Sequence, residues 1–265
     1  MSKLQGVADT LFIPLAARIY VSKRFPEYFF DERAMSLEKE IPTESIQKNS
    51  SEYFYMASVA RYYNLDLMTK NFLSTHKKCN VVNIGAGLET AYFRLNSQNA
   101  VFYEVDLPEV IEIRRMALGE EPRDVLIGGD MFALDWMRSI DNSLPSLFVV
   151  SGVFQYYHEK EIIKFIQDIK QAFAYGELIF DATNEKGVKY ANKYVKKTGN
   201  TSAPMHFFIN DCERFAQKTG AALMECRPFF IDARKILAKK LKIYTRIVMK
   251  FVDMSSRAIL IQLKL

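Results

Sequence analysis

Cysteine is scarce in this 265-residue chain: Cys79, Cys212 and Cys226 are the only three, and none stands in C-x-x-C spacing. An odd number without that spacing indicates neither a disulfide framework nor a zinc site, and it fits a reducing compartment, here the cytoplasm. No metal is expected. Long apolar runs are missing as well. Leu11-Phe12-Ile13-Pro14-Leu15-Ala16-Ala17 is the nearest thing to a targeting segment. It is short, interrupted by proline and preceded by Asp9 rather than a basic cluster, so it is expected to be neither a signal peptide nor a membrane span. A dense basic arm is also absent. The net charge is +5, but 36 basic residues are scattered among 31 acidic ones, which argues against a nucleic-acid partner and gives no ground for a membrane one. Repeats and low-complexity stretches do not occur.

What remains is an ordinary globular composition, 49% hydrophobic and 25% charged, long enough for one large α/β domain with an elaboration. The organising stretch is Val81-Val82-Asn83-Ile84-Gly85-Ala86-Gly87-Leu88-Glu89-Thr90, followed by Val101-Phe102-Tyr103-Glu104-Val105-Asp106-Leu107-Pro108. An apolar run ending in Gly-x-Gly, then a second ending in an acid about twenty residues on, is how parallel strands build a nucleoside site. The glycines let backbone approach the ligand, and Glu104 or Asp106 can accept ribose hydroxyls. A dinucleotide fingerprint needs a third Gly or Ala, and Thr90 stands there instead. The ligand is therefore expected to lack a pyrophosphate, and S-adenosylmethionine is the commonest such nucleoside on this fold.

Residues before Asn80 carry helical periodicity and no alternating strand. Ser51 is a plausible N-cap for a helix whose core stripe is Phe54, Ser58, Arg61, Leu65, Met68 and Phe72. An arginine in such a stripe must meet an anion or leave the interior, because an unpaired buried charge is very costly. Arg61 therefore either snorkels to the edge or pairs with a structural carboxylate, or it grips the carboxylate of a ligand. Further on, Leu107-Pro108-Glu109 starts a helix running to about Gly119, and Val125-Leu126-Ile127 is a short third strand. The loop Gly128-Gly129-Asp130-Met131 follows. There Asp130 either accepts an adenine amino group while Met131 packs on the ring, or merely caps the helix carrying Trp136.

Leu147-Phe148-Val149-Val150 reads as a central strand buried on both faces. Ser151-Gly152-Val153-Phe154-Gln155-Tyr156-Tyr157 then crosses the top of the sheet. A helix from Glu159 to about Ala174, a strand Glu177–Asp181 and a polar helix through Tyr190 and Lys197 come next. Thr198 to Pro204 is a loop long enough for a lid. Asn210-Asp211 starts another helix, Ala222–Cys226 is a strand, and Arg257–Leu265 closes the sheet. Asp232 to Phe251 is expected to be one amphipathic helix, with Leu237, Leu241, Tyr244 and Val248 inside and Lys235, Lys239, Lys242 and Arg246 on a basic outer face that is either simply solvated, the expected case, or in touch with phosphate or a membrane.

The chain resembles the leucine carboxyl methyltransferase superfamily, and within it the tetracenomycin-type polyketide O-methyltransferases. Val82-Asn83-Ile84-Gly85-Ala86-Gly87-Leu88-Glu89-Thr90 is similar to the family's V-N-L-G-A-G-L-D-T. Tyr103-Glu104-Val105-Asp106-Leu107-Pro108-Glu109-Val110-Ile111 is similar to its Y-D-V-D-L-P-E-V-I, and Thr10-Leu11-Phe12-Ile13-Pro14-Leu15 matches the opening of that branch. The resemblance implies a Rossmann-like class I methyltransferase fold. That fold has a mostly parallel seven-stranded sheet with helices on both faces, here over residues 79–265, behind a helical cap over 1–78. It also implies that Arg61 binds the cofactor carboxylate, the Gly85-Ala86-Gly87 turn lines its methionine part, Asp106 holds the ribose, and Asp130 with Met131 meets adenine. One position departs from the pattern. Where the family's A-E-G-V-L-M-Y-L segment has glutamate, this chain has Ser151, which can bond the cofactor's amino group but without the carboxylate's charge assistance.

Methyl transfer from a sulfonium needs a nucleophile held about 3 Å from the methyl group, and no covalent enzyme intermediate. A hydroxyl acceptor profits from a general base, for which His206 and His158 are the candidates by type; a carboxylate acceptor needs none. Each histidine has a plainer reading, His158 as a helix-entry residue and His206 as a surface or packing one. Tyr20, Phe154, Tyr156, Tyr157 and Phe207 could floor an acceptor pocket or simply belong to the core. Three functions compete. The first is an O-methyltransferase acting on a small aromatic or polyketide-like acceptor. The second is a protein C-terminal carboxyl methyltransferase, which should carry a peptide groove. The third is a non-catalytic S-adenosylmethionine-binding paralogue, for which Ser151 is the chief argument.

Overall fold

The structure is a computed structural model and describes residues 5–40, 50–197 and 204–265. The expected lid loop, Thr198 to Pro204, falls almost wholly outside the described residues. Seven strands form one sheet: β1 (Cys79–Ile84), β2 (Ala100–Asp106), β3 (Asp124–Gly128), β4 (Ser146–Val150), β5 (Gly176–Thr183), β6 (Ala222–Pro228) and β7 (Ala258–Lys264). Their order is β3-β2-β1-β4-β5-β7-β6, and β7 alone runs antiparallel to its neighbours. Strands β1 and β4 are buried along their whole length, as near-continuous apolar runs in a parallel sheet covered on both faces must be.

The described helices are α1 (Gln5–Arg24), α2 (Glu32–Ser36), α3 (Glu52–Thr75), α4 (Ala91–Leu95), α5 (Pro108–Leu118), α6 (Glu159–Ala172), α7 (Glu185–Lys197), α8 (Cys212–Thr219), α9 (Ile231–Ile236) and α10 (Ile243–Met254). Helix α3 begins as read: Ser51 Oγ accepts the Phe54 N–H at 3.2 Å, satisfying one of the orphan donors of a first turn. Its buried face is wider than the expected stripe, taking in Tyr55, Met56, Val59, Ala60 and Tyr62. Through that face α3 shares one core with Val81, Phe102, Leu147, Ile179 and Leu260 of the sheet. A second core, on the opposite face, joins Val82, Phe148 and Phe180 to Ile162, Ile166 and Ile169 of α6.

Two expectations fail in the carboxyl-terminal part. Residues 232–251 are not one helix. The chain breaks between α9 and α10, and the Lys242 N–H donates to Glu52 Oε1 of α3 at 2.9 Å. The break rotates Tyr244 outward, where it is 70% exposed instead of buried, while Leu237 and Leu241 are buried as expected. Cysteine spacing also misled, because Cys212 at the start of α8 and Cys226 in β6 are joined as a disulfide across 14 residues. Adjacency of α8 and β6 brings them together, and sequence spacing does not carry that information. Cys79 stays free and buried.

Candidate functional site

Strand register sets the site. Ile84 of β1 is level with Val105 of β2 and Val150 of β4, and Val150 is level with Phe180 of β5. The next residue of each strand or loop is then Gly85, Asp106, Ser151 and Asp181, a row across the carboxyl edge with strands about 4.8 Å apart. This is where ligands sit in open α/β sheets, on either side of the strand at which the order reverses.

The turn after β1 folds as the glycines require. Gly85 and Gly87 have φ of +66° and +49°, the left-handed region that side chains rarely adopt. A Cβ on Gly85 would run into the Val153 side chain and one on Gly87 would lie 2.8 Å from Leu11, so both sites also demand the missing side chain. Asp106 Oδ2 accepts the Gly87 N–H at 2.7 Å and Oδ1 the Leu107 N–H at 2.7 Å, which fixes the carboxylate beside the turn. Burial pushes the Asp106 carboxyl up, partly countered by those two backbone bonds.

On the other side of β1, Arg61 lies against the backbone of the turn after β4. A Cβ on Gly152 would be 2.6 Å from Arg61 Nη1, and Gly152 has a φ of +70°. Arg61 Nη1 is 3.5 Å from Asp181 Oδ2, while Asp181 Oδ1 accepts the Gly152 N–H. Two buried polar atoms here have no partner, Arg61 Nε and Ser151 Oγ. A cation with one loose counter-ion, an unsatisfied hydroxyl beside it, a glycine turn and a half-buried acid stand together on this edge, a set of groups chemically suited to a carboxylate, an amino group and a sugar.

Asp181 is absent from the sequence-level site. The signal was present: it ends the apolar run Leu178-Ile179-Phe180 one strand beyond Ser151, as Asp106 ends its own run one strand beyond Gly85.

The remaining expected residues divide. Glu104 does not reach the cradle. It is 0% exposed, accepts from Asn83 Nδ2 at 2.9 Å and lies 3.4 Å from Arg114, which also contacts Asp124 at 3.2 Å. It points to the same side as Asp106 but one pleat deeper, and burial pushes its carboxyl well up despite Arg114. Asp130 is exposed and accepts the Phe132 N–H at 2.9 Å, and the short 3-10 turn carrying Trp136 starts at Leu134 instead. Met131 is buried, its carbonyl accepting Trp136 Nε1 at 3.0 Å.

Phe154 is 1% exposed and packs edge-on against Phe165, Phe180 and Phe207, so it is core and cannot floor a pocket, and Phe207 is core with it. Tyr157 meets Phe132 edge-on at 4.8 Å, and its hydroxyl is pushed up by burial and by nearby Asp130 and Asp106, which puts it close to both acids. Tyr156 is exposed next to Arg61. Tyr20 stacks on Tyr55 at 4.2 Å and is half-buried.

His158 stands at the entry to α6, its N–H donating to Glu161 Oε2 at 2.8 Å. His206 donates its backbone N–H to the Gln155 carbonyl at 2.7 Å, and the two imidazoles pack 4.5 Å apart. The sequence named both histidines without showing that they touch.

Comparison with known proteins follows the same lines. The family model for leucine carboxyl methyltransferases matches residues 8–170, which contain the glycine turn, Asp106, Asp130 and Ser151. The tetracenomycin polyketide synthesis O-methyltransferase of Streptomyces glaucescens is 25% identical, over 88% of this chain and 89% of that protein. A leucine carboxyl methyltransferase of Debaryomyces hansenii is 26% identical, over 43% of this chain and 42% of its own length. Among solved structures, a protein of the DUF574 family from Streptomyces avermitilis superposes with a TM-score of 0.56 at 12% identity, covering 94% of this chain and 96% of that one. The magnesium protoporphyrin IX methyltransferase of Synechocystis gives 0.50 at 12% identity, over 82% and 88%. These likenesses establish the fold, with a sheet that is mostly parallel.

Proposed function

Because the chain belongs to the leucine carboxyl methyltransferase family and is a methyltransferase dependent on S-adenosylmethionine, we propose that it methylates a hydroxyl or carboxyl group of a small aromatic or polyketide-like acceptor. The observation that carries the finer reading is the near full-length similarity to a polyketide synthesis O-methyltransferase, against a match to less than half of the leucine carboxyl methyltransferase.

The residues present fit the cofactor. Arg61, with its unpartnered Nε, takes the carboxylate of the methionine part. Ser151 Oγ, also unpartnered, accepts from the amino group, and Asp181 supplies the negative charge that Ser151 does not. Asp181 is the chain's answer to the missing glutamate, set one strand over on a residue that also orients Arg61. Gly85, Ala86 and Gly87 leave room for close approach, Asp106 accepts the ribose hydroxyls, and Asp130, Met131 and Tyr157 flank the adenine. When bound, S-adenosylmethionine supplies an electrophilic methyl group on a sulfonium centre. The protein's own work is to orient the acceptor oxygen and exclude water. A hydroxyl acceptor gives up a proton as its oxygen is methylated. The His158–His206 pair, joined to the 151–157 turn by the His206 backbone, is the base for that proton, with His206 as the acceptor of it. Tyr20 and Tyr156 are the aromatic side chains offered to the acceptor.

Methyl transfer from radiolabelled S-adenosylmethionine to phenols, polyketide hydroxyls, aryl carboxylates and peptides ending in leucine tests the reading. Label on a small-molecule oxygen is expected. Label on the peptide carboxyl group would transfer the assignment to the protein carboxyl methyltransferases, and binding without transfer to any oxygen would point to the non-catalytic alternative.

A further inference from the structure

The break between α9 and α10 turns an unusual face to solvent. Ile243 is 73% exposed, Ile247 63% and Phe251 52%, and with Met254 they form one ridge of α10 at three- and four-residue spacing. Lys242, Arg246 and Lys250 form the adjoining ridge at four-residue spacing, all exposed. Ile231 and Lys235 of α9 stand across from them, closing an open groove of about 730 Å³ lined by Ile231, Arg234, Lys235, Ile243, Arg246, Ile247 and Lys250. Between Ala233 and Val252 the sequence contains no Asp or Glu. Arg234 is held by Asp253 at 2.6 Å and Lys240 by Glu27 at 2.7 Å. Lys235, Lys239, Lys242, Arg246 and Lys250 make no ion pair among the described residues.

We propose that this face docks on an anionic lipid bilayer. Large apolar side chains flanked by lysine and arginine are the composition of a helix that lies in the headgroup plane, apolar ridge down and cations among the phosphates. No described helix is long and apolar enough to cross a membrane, so the contact is peripheral. Charge decides against a second copy of the chain. A two-fold contact applies the same patch to itself and would set these cations against their own images, whereas a phosphate surface neutralises them.

Cosedimentation of the full chain with vesicles tests this, using phosphatidylcholine alone and phosphatidylcholine mixed with phosphatidylglycerol. Binding to the anionic vesicles is expected, falling with added salt, with little binding to phosphatidylcholine alone. Replacing Lys242, Arg246 and Lys250 by Gln should lower partitioning about a hundredfold. The pair Ile247→Glu and Phe251→Glu should lower it about tenfold or more. The heat of S-adenosylmethionine binding should stay at the wild-type value in both, which separates lost docking from misfolding. Absence of the wild-type chain from the anionic pellet overturns the proposal, as does equal binding by the variants. A dimer in sedimentation velocity that Ile247→Glu and Phe251→Glu dissolve, without vesicle binding, would give the face to a second copy instead.

Discussion

Two arginines near the glycine turn, Arg94 and Arg61, contrast a saturated structural cation with one that the proposed function assigns to a ligand. Arg94 is saturated. Its Nε and Nη2 donate to the two oxygens of Asp66 at 2.8 and 2.7 Å, and its Nη1 reaches Thr90 Oγ1 at 2.6 Å and lies near Asp31 and Glu89. Arg18 extends the network from α1, pairing with Asp31 at 2.8 Å and donating to the Leu88 carbonyl at 2.6 Å. Burial alone would raise the Asp31 carboxyl, yet Arg18 and Arg94 together hold it below its ordinary value. Arg61 has one counter-ion at 3.5 Å and a side chain 17% exposed, and its guanidinium lies against the turn at Gly152, next to the unpartnered Ser151 hydroxyl. A buried charge is tolerated when it is paired, and under the proposed function the loosely paired Arg61 takes a second partner from solution. Thr90 shows the same division. It fills the position where a dinucleotide site has its third glycine, and it serves the saturated network.

The largest effect should come from breaking the saturated side. Arg94→Met leaves Asp31, Asp66 and Glu89 without their shared cation and is expected to cost about 3–5 kcal/mol in urea unfolding. Arg61→Ala should leave the urea midpoint close to that of wild type. Equal losses in the two variants would erase the distinction.

Asp106→Asn should weaken S-adenosylmethionine binding by about 1.5–3 kcal/mol, the usual worth of a hydrogen bond to a charged group. The pH dependence sharpens this. Because burial raises the Asp106 carboxyl above its ordinary 3.8, the ionised acceptor is present above that raised value and lost as pH falls through it. Affinity should therefore begin to drop at a higher pH than an ordinary aspartate would give, and the acid limb should vanish in the asparagine variant. An unshifted limb, or one that persists in the variant, contradicts the role. Ser151→Ala, which removes an uncharged acceptor, should cost the least, about 0.5–1.5 kcal/mol of affinity by calorimetry.

Much of this was legible from the chain itself, for a physical reason. Strands β1, β2 and β4 are buried on both faces and so write themselves as apolar runs, and the residue after each run falls on the ligand edge. Gly85 and Asp106 followed from that pattern, Arg61 stood out by its place in an apolar stripe, and Ser151 was named only through the family resemblance. What stayed hidden depends on contacts distant in sequence. Glu104 has the right type and side but sits one pleat too deep, where Arg114 and Asp124 claim it. The α9–α10 break interrupts a segment whose periodicity is continuous and which has no glycine or proline, because Glu52 of α3 caps the start of α10 from 190 residues away. The contact of His158 with His206 and the meeting of Cys212 with Cys226 arise in the same way.

The central claim is that Arg61 is held in readiness for the carboxylate of S-adenosylmethionine, and calorimetric titration of the wild-type chain and Arg61→Ala tests it most directly. The wild type should bind both S-adenosylmethionine and S-adenosylhomocysteine, and the variant should bind each more weakly by about 1.5–3 kcal/mol with its fold intact. Unchanged affinity in the variant would contradict the account of Arg61, and absence of binding by the wild type to either compound would contradict the cradle as a whole.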